Sequence, residues 1–388
     1  MNHLPYFKFF SMALFLICSA ILSSQLSHAQ NLSFSTDTDW TFTASGALPV
    51  FLVTSEHEGF DAEGEDQFAS RVMSGFNPGN ITFSITAPEM NGISVSGMFQ
   101  INHHLQGPSI QNEGLFEGRI ADIVISGDFG TFNLGKGFGV FNSIAIGDVG
   151  SAAGVGRFSG PDAANATLGR IGTGYSYANF NPRASYTTPD IGGFKAQVGL
   201  INPEKPGGFS TQIETWLPRF EGQVDYIIDV DEAIVQLWAG GMYQNVNVTA
   251  IDFDYDITGW DTGARLSAAG FTVTGAYSQT QSVGADGLIG LSLSTSGLDE
   301  ANVKATQWYT EAAYSTGQAT FGLSYGEGAQ DEQTSQVGAA PDITNTLLMG
   351  FGRYRVTDQL TLLLEIQSFT SDAQSNYNAL IFGSMFAF

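Results

Sequence analysis

A series of short turns separated by strand-like runs constrains this chain more than any other feature. Residues that favour tight turns cluster at seven places, and each cluster lies between runs that alternate apolar and polar side chains. The turn centres lie about 40 residues apart, except for one interval of about 60 and one of about 48. This spacing predicts an all-β chain made of hairpins. The predicted turns are 88–92, 127–130, 189–193, 229–232, 268–270, 316–318 and 356–359.

Seven hairpins, with one more strand at each terminus, predict about sixteen antiparallel strands. Only 13% of the residues are charged, whereas a soluble domain typically carries about 25%. The chain also holds 30 Phe, so much of its outer surface is expected not to face water. After the first residues, no stretch has the run of about eighteen apolar residues that a spanning helix needs. The remaining structure that satisfies every backbone group in lipid is a closed transmembrane β-barrel.

The period of two assigns faces to the predicted strands. In the strand expected from Trp216, Phe220, Val224 and Tyr226 suit a lipid-facing wall, while Arg219, Glu221 and Gln223 suit a wet interior. The runs 194–200 and 360–367 alternate in the same way. A soluble β-sandwich would also alternate, so the low charge and the aromatic content favour the barrel. The first strand, 40–53, contains Pro49, which an edge or a bulge would tolerate.

The first residues resemble an export signal. Lys8, the apolar run 9–22 and Ser27-His28-Ala29 predict a signal peptide over 1–29 that is cleaved before Gln30. The only cysteine, Cys18, would leave with it, so the mature chain 30–388 can form no disulfide. Removing Lys8 from the 14 basic residues leaves 13 against 38 acidic ones, a net charge of −25. This balance disfavours nucleic acid as a partner.

One connection is too long for a simple hairpin. About thirty-five residues rich in Gly, Ala and Ser, from about 138 to 172, follow the second predicted hairpin. We expect this loop to fold inward and narrow a pore; an external flap or disorder are the alternatives. The candidate residues of the constriction and lumen are Arg183, Arg119, Lys136, Asp148, Arg157, Asp162, Arg170, Arg353 and Arg355. For Arg353 and Arg355, which lie near a turn, binding lipid phosphate at the rim is the alternative.

Several segments, taken in order, resemble the general porins of Gram-negative outer membranes. GRIADIVISGDFGTFNLGKGFGVF is similar to the hairpin that precedes the third external loop of those proteins. The hairpin carrying Arg183, Tyr186, Pro189, Gly193 and Phe194 resembles the one that follows it. ITGWDTGARLSAAGFTVTGAYS and WYTEAAYSTGQATFGLSYGEG resemble later porin hairpins. The terminal YNALIFGSMFAF resembles the strand that barrel-insertion machinery reads, with Ser384 at a position that the family prefers to be apolar.

This resemblance covers nearly all of residues 38–388. It implies a barrel of sixteen strands in the outer membrane, usually a homotrimer, in which the third loop forms the constriction. It also implies passive diffusion of small hydrophilic solutes and ions, and contact with outer-membrane lipid and lipopolysaccharide. The loop carries only Asp148 and Asp162 as acids, fewer than in many general porins, so we expect a weakly polarised constriction. With few internal charges and an acidic exterior, we expect a weak preference for cations.

No cofactor is expected, and the sequence offers little for catalysis. His57, His103 and His104 are the histidines of the mature chain, and none lies in a recognisable nucleophile setting. A loop with Glu56, Glu58, Asp61 and Glu63 is a weak candidate for a divalent cation, although a solvated loop is the commoner outcome. A channel specific for a sugar or a peptide, and more remotely a barrel enzyme, are the alternative functions.

Overall fold

A computed structural model of the chain describes residues 32–59, 63–105, 116–158, 160, 166–203, 213–287, 301–335 and 338–388. These residues form 21 β-strands. None of them forms a helix long and apolar enough to cross a membrane. The strands are β1 Leu32–Ser35, β2 Thr41–His57, β3 Gln67–Met73, β4 Gly79–Thr86, β5 Ser94–His103, β6 Phe116–Gly127, β7 Gly130–Phe138, β8 Phe180–Thr187, β9 Phe194–Ile201, β10 Ile213–Glu214, β11 Arg219–Val230, β12 Ala233–Val248, β13 Phe253–Ala268, β14 Phe271–Gln281, β15 Lys304–Thr316, β16 Ala319–Gln330, β17 Gln333–Ser335, β18 Gly338–Ala340, β19 Ile343–Arg355, β20 Leu360–Ser371 and β21 Tyr377–Ala387.

The strands close into a barrel because the first long strand pairs with the last. One edge of β2 pairs antiparallel with β21, and its other edge pairs with β3 and β4. β3 and β4 occupy one position of the wall, as do β10 and β11, while β1, β17 and β18 add no position. Sixteen strands therefore make up the wall, which confirms the predicted all-β antiparallel barrel.

The two faces of the wall carry apolar and polar side chains in the reverse of the arrangement found in a soluble protein. On β11, Phe220 and Val224 point outward and are 42% and 41% exposed, whereas Arg219 and Glu221 point inward and are 0% and 4% exposed. β9 and β20 alternate as predicted, with Val198 on the outer face of β9 and Gln367 on the inner face of β20. A polar inside and an apolar outside are what a lipid-facing barrel requires.

The seven predicted turns lie at one rim of the barrel, and each joins two neighbouring strands. The other rim carries the longer connections, including those that leave β5, β7, β9, β14 and β16, although the connections 249–252 and 372–376 are short there too. Short turns at one end of the barrel and longer connections at the other are typical of outer-membrane barrels. We call these two ends the turn rim and the loop rim.

Proline explains two local departures from regular strands. Pro49 in β2 lies between the residues that pair with β4, which end at Ala47, and those that pair with β3, which begin at Phe51. Neither β3 nor β4 pairs with β2 at Pro49, so its missing N–H costs no hydrogen bond to those strands. Pro218 precedes β11, so the strand begins at Arg219 rather than at Trp216, which is 79% exposed in the break.

Candidate functional site

The connection between β7 and β8, residues 139–179, is called loop 3, and its described residues fold into the barrel. It ends later than residue 172, the end that the sequence indicated, because β8 begins at Phe180. Its side chains at Val140, Phe141, Val155 and Tyr175 have almost no exposed surface. They pack against inward-facing side chains of the wall, in clusters that include Phe51, Met242, Tyr309 and Phe369. An inward-folded third loop is thus part of the fold.

Three glutamates of the wall fasten loop 3 through its backbone. Each carboxylate faces inward from a different strand and accepts hydrogen bonds from two consecutive N–H groups. Hydrogen bonds to an ionised acceptor are stronger than those between neutral groups. The pairs are Glu221 on β11 with Val140 and Phe141 at 2.6 and 3.0 Å, Glu311 on β15 with Val149 and Gly150 at 2.6 and 3.0 Å, and Glu365 on β20 with Val155 and Gly156 at 2.9 and 3.2 Å.

Donors on the wall bind the carbonyl groups of the same loop. The Arg353 guanidinium donates to the carbonyls of Val149 and Gly150, the second at 2.9 Å. Arg265 donates to the carbonyl of Gly147 at 2.9 Å, and the Tyr309 hydroxyl donates to that of Ala145 at 2.8 Å. Loop 3 is therefore held mainly by its peptide groups, and both its donors and its acceptors find partners on the wall.

The break between β3 and β4, residues 74–78, provides a further contact with loop 3. The N–H of Phe76 donates to the carbonyl of Gly154 at 2.9 Å, and the N–H of Thr167 donates to the carbonyl of Gly75 at 3.0 Å. The Asn77 side chain donates to the carbonyl of Ala152 at 2.5 Å. The backbone groups freed by the break are thus used to bind the loop.

Loop 3 covers only part of the inner wall. Inward-facing residues at mid-height on β11 to β21, such as Gln223, Ser278 and Glu311, are buried beneath it. Inward-facing residues on β4 to β9, such as Thr82, Ser96 and Asn133, remain half-exposed. The solvated interior therefore lies to one side, between loop 3 and the wall formed by β4 to β9. We call this the open wall.

Arg183 is the predicted lumen residue that the structure places on the open wall. It faces inward from β8 and donates from Nη2 to Oδ2 of Asp122 at 2.9 Å. Its Nε donates to the carbonyl of Phe138 at 2.9 Å, which ties the wall to the start of loop 3. Asp122 was not recognised from the sequence; its inward position on β6 is the signal that could have found it.

Arg119 and Lys136 lie near the loop rim rather than at mid-height. Arg119 lies at a β-bulge of β6, pairs with Glu117, and has its guanidinium over the ring of Phe180. Lys136 shares the outward face of β7 with Leu134, and its Nζ donates to the carbonyl of Gly118 at 2.6 Å. The structure therefore does not bring Lys136 to the lumen. Its charge alone made it a lumen candidate, whereas the strand period gives it the outward face of Phe132 and Leu134.

The candidate charges of loop 3 point into packed surroundings. Asp148 accepts from the N–H and the hydroxyl of Ser151, at 2.6 and 2.9 Å, and from the Tyr175 hydroxyl at 3.2 Å. Burial raises the pKa of Tyr175 well above its usual range, so the phenol stays protonated and can donate. Arg157 and Arg170 are also fully buried, so neither lines the solvated interior. Asp162 lies outside the described residues.

Arg353 and Arg355 face inward from β19 near the turn rim. Arg353 binds the backbone of loop 3, as described above, and Arg355 is half-buried. Their inward register separates them from the lipid-facing side of the wall. The alternative of a lipid-bound rim arginine therefore does not fit Arg353, whose guanidinium is occupied inside the barrel.

The weak candidates for a divalent cation are not gathered into a site. Glu56 lies on the outward face of β2, and Glu58 accepts a hydrogen bond from the Asn376 side chain at 3.0 Å. Glu63 is exposed, and Asp61 lies outside the described residues. In the part of the chain that the structure describes, no group of three or more His, Cys, Asp or Glu side chains could hold a metal ion.

A closed barrel of sixteen strands, apolar outside and narrowed by an internal loop, defines a channel protein of the bacterial outer membrane. The profile of the Gram-negative porin family matches residues 13–374, and the chain belongs to that family. Proteins of this family are typically channels rather than enzymes. Comparison with curated protein sequences gave no significant match.

Solved structures of low sequence identity share the fold. The anion-selective porin from Comamonas acidovorans is 16% identical, with a TM-score of 0.65 over 90% of this chain and 100% of its own. The outer membrane channel DcaP of Acinetobacter baumannii is 12% identical, with a TM-score of 0.66 over 92% and 99%. OmpF of Salmonella typhi, solved with daunomycin, is 12% identical, with a TM-score of 0.59 over 92% and 100%.

Proposed function

We propose that the protein is a water-filled channel through which small hydrophilic solutes and ions diffuse passively across the outer membrane. The observation that carries this proposal is loop 3, which is fastened along one side of the barrel and leaves the open wall solvated. Solutes would enter between the long connections of the loop rim, pass the constriction between loop 3 and the open wall, and leave at the turn rim. Residues 1–29 would direct export and be removed.

We also propose a weak preference for cations, which arises from acidic side chains at the two rims. Exposed carboxylates surround both mouths, and they concentrate cations there. Among the described residues of the loop rim, the exposed basic residue is Lys304. The exposed acids include Glu58, Glu63, Glu65, Asp66, Asp252, Asp254, Asp331, Glu332, Asp342 and Asp372 at the loop rim, and Glu89, Asp128, Asp190, Asp229, Asp231, Glu232 and Asp358 at the turn rim.

We further propose a homotrimer embedded in lipid and lipopolysaccharide. A trimer form is known for OmpT of Vibrio cholerae, whose structure matches this fold with a TM-score of 0.54 at 13% identity over 90% of this chain and 99% of its own. In the last strand, Phe382 and Phe386 are exposed on the outer face, and the Phe386 and Phe388 rings lie 5.9 Å apart. We expect barrel-insertion machinery to recognise this aromatic end.

Planar bilayer recordings test the channel. The purified mature protein should give stepwise ionic currents, and in a salt gradient the reversal potential should show a modest preference for cations. A reversal potential that favours chloride would refute the cation preference, and a complete lack of current would refute the channel. Saturation of the current by one sugar or peptide would instead support a substrate-specific channel. Polyethylene glycols of graded size would measure the constriction.

A further inference from the structure

The open wall consists of six strands, β4 to β9, all of which the structure describes, and most of the side chains that it turns toward the solvated interior are uncharged. Hydroxyl and amide side chains face the interior at successive positions of these strands. They include Thr82, Ser84, Ser96, Gln100, Thr131 and Asn133, all half-buried. The Gln100 amide donates to the Thr82 hydroxyl at 3.0 Å, so these polar groups also bind one another between neighbouring strands.

Each charged side chain that faces the interior from these six strands is paired with an opposite charge. A paired charge exerts a much weaker field on a passing solute than an isolated one. The pairs are Glu117 with Arg119 near the loop rim, Asp122 with Arg183 at mid-height, separated by 2.9 Å, and Lys195 with Asp190 at the turn rim, separated by 3.3 Å. The remaining charged residue, Lys136, lies on the outward face.

The described part of loop 3 adds no free charge opposite this wall. Asp148 is surrounded by three donors, and Arg157 forms an ion pair with Asp286 at 2.7 Å. Arg170 is fully buried and lies with its guanidinium 5.9 Å from the centre of the Tyr309 ring. The constriction therefore has mainly uncharged hydrogen-bonding groups on the open wall, and the described charges of loop 3 on the other side are buried within the protein.

We infer that the constriction selects small uncharged solutes that form hydrogen bonds, such as sugars, polyols and amides, over ions of the same size of either sign. An uncharged solute exchanges its water hydrogen bonds for those of Thr, Ser, Asn and Gln side chains, which both donate and accept. A charged solute that sheds part of its hydration there finds no opposite charge to replace it. This inference rests on the proposed channel and names its preferred solutes.

Liposome swelling with three solutes of nearly equal size tests the inference: glucose, the cation of glucosamine and the anion gluconate. Glucose should enter fastest, with glucosamine ahead of gluconate because the acidic rims favour cations. Faster entry of either ion than of glucose would overturn the inference. Lack of swelling and of bilayer current together would refute the channel itself, so the two failures are distinguishable.

Variants at Ser84 give a matched test, because Ser84 faces the interior at the level of Met98 and Asp122. Ser84→Asp and Ser84→Asn have nearly the same shape and differ in charge. We expect the Asp variant to raise glucosamine entry relative to gluconate by about thirtyfold, because one unit charge at about 4 Å in water favours the cation by about fivefold and disfavours the anion by about fivefold. Ser84→Lys should shift the ratio the other way, and Ser84→Asn should leave it unchanged. Equal ratios in the Asp and Asn variants would contradict a neutral constriction.

Discussion

The Arg157 guanidinium donates from Nη2 to Oδ1 of Asp286 at 2.7 Å and thereby joins loop 3 to the connection between β14 and β15. Arg157 is fully buried, and its Nη1 donates to the carbonyl of Ile171 at 3.0 Å. The N–H of Tyr177 donates to the carbonyl of Gly287 at 2.6 Å, close to the same contact. These bonds hold two connections of the loop rim together inside the barrel.

We expect Asp286→Asn to destabilise the folded protein by about 1–3 kcal/mol. The substitution leaves the charge of Arg157 buried without compensation, and the partial exposure of Asp286 moderates the cost. Urea unfolding of the barrel in lipid vesicles would measure the loss. Asp331→Asn, at an exposed position of the loop rim, serves as the control and should change stability by less than about 0.5 kcal/mol. Equal effects of the two variants would contradict a structural role for the ion pair.

Removing one wall carboxylate should loosen loop 3. Glu311→Gln keeps one acceptor oxygen but places an amide group against a backbone N–H, which costs roughly 1.5–3 kcal/mol of anchoring. We expect noisier single-channel currents and a larger mean conductance. Glu327→Gln on the adjacent β16, whose side chain faces outward, is the matched control. Identical traces for the two variants would show that loop 3 does not depend on Glu311.

The rate of cysteine modification should distinguish the open wall from the part of the wall beneath loop 3. The mature chain is predicted to lack cysteine, so Ser96→Cys on β5 and Ser278→Cys on β14 each introduce a single thiol. Both face inward, but Ser278 is 1% exposed beneath loop 3 and Ser96 is half-exposed. A charged thiol reagent should modify the first variant at least about tenfold faster, as for a local opening cost of about 1.4 kcal/mol. Comparable rates would contradict the off-centre pore.

Gly156→Ala should displace loop 3 while leaving the barrel intact. Gly156 has a φ of +60°, and a Cβ there would lie 2.5 Å from Cα and from the carbonyl oxygen of Gly169. Backbone atoms cannot move aside as a flexible side chain can, so the loop has to shift. We expect altered conductance with unchanged β-sheet content by circular dichroism. Gly97→Ala, where a Cβ would meet nothing within 4 Å, should behave as wild type.

The barrel could be predicted from sequence because its determinants are local. Turn chemistry located the seven hairpins, and the period of two assigned Phe220 and Glu221 to opposite faces, since each signal involves residues close in the chain. The break 74–78 was missed, although Pro78 offered a local signal for it.

The attachment of loop 3 could not be predicted in the same way. Glu311 and Val149 are 162 residues apart. Because the backbone N–H of Val149 makes this hydrogen bond, any residue type except proline could stand there, and the sequence gives no sign of the contact. Inward positions for Glu221 and Glu365 followed from strand alternation, but their role in holding the loop did not. Lys136 was misplaced because its charge alone suggested the lumen, whereas alternation with the apolar Phe132 and Leu134 indicates the outward face.

Loop 3 is bound largely through its peptide groups, so its attachment to the wall is partly independent of the chemistry of its side chains. Since Glu221, Glu311 and Glu365 each bind main-chain amides, these bonds do not depend on which side chains the loop carries at those positions. Loop side chains that neither pack against the wall nor pair with it can therefore be exchanged, and the permeability altered, while the loop stays attached.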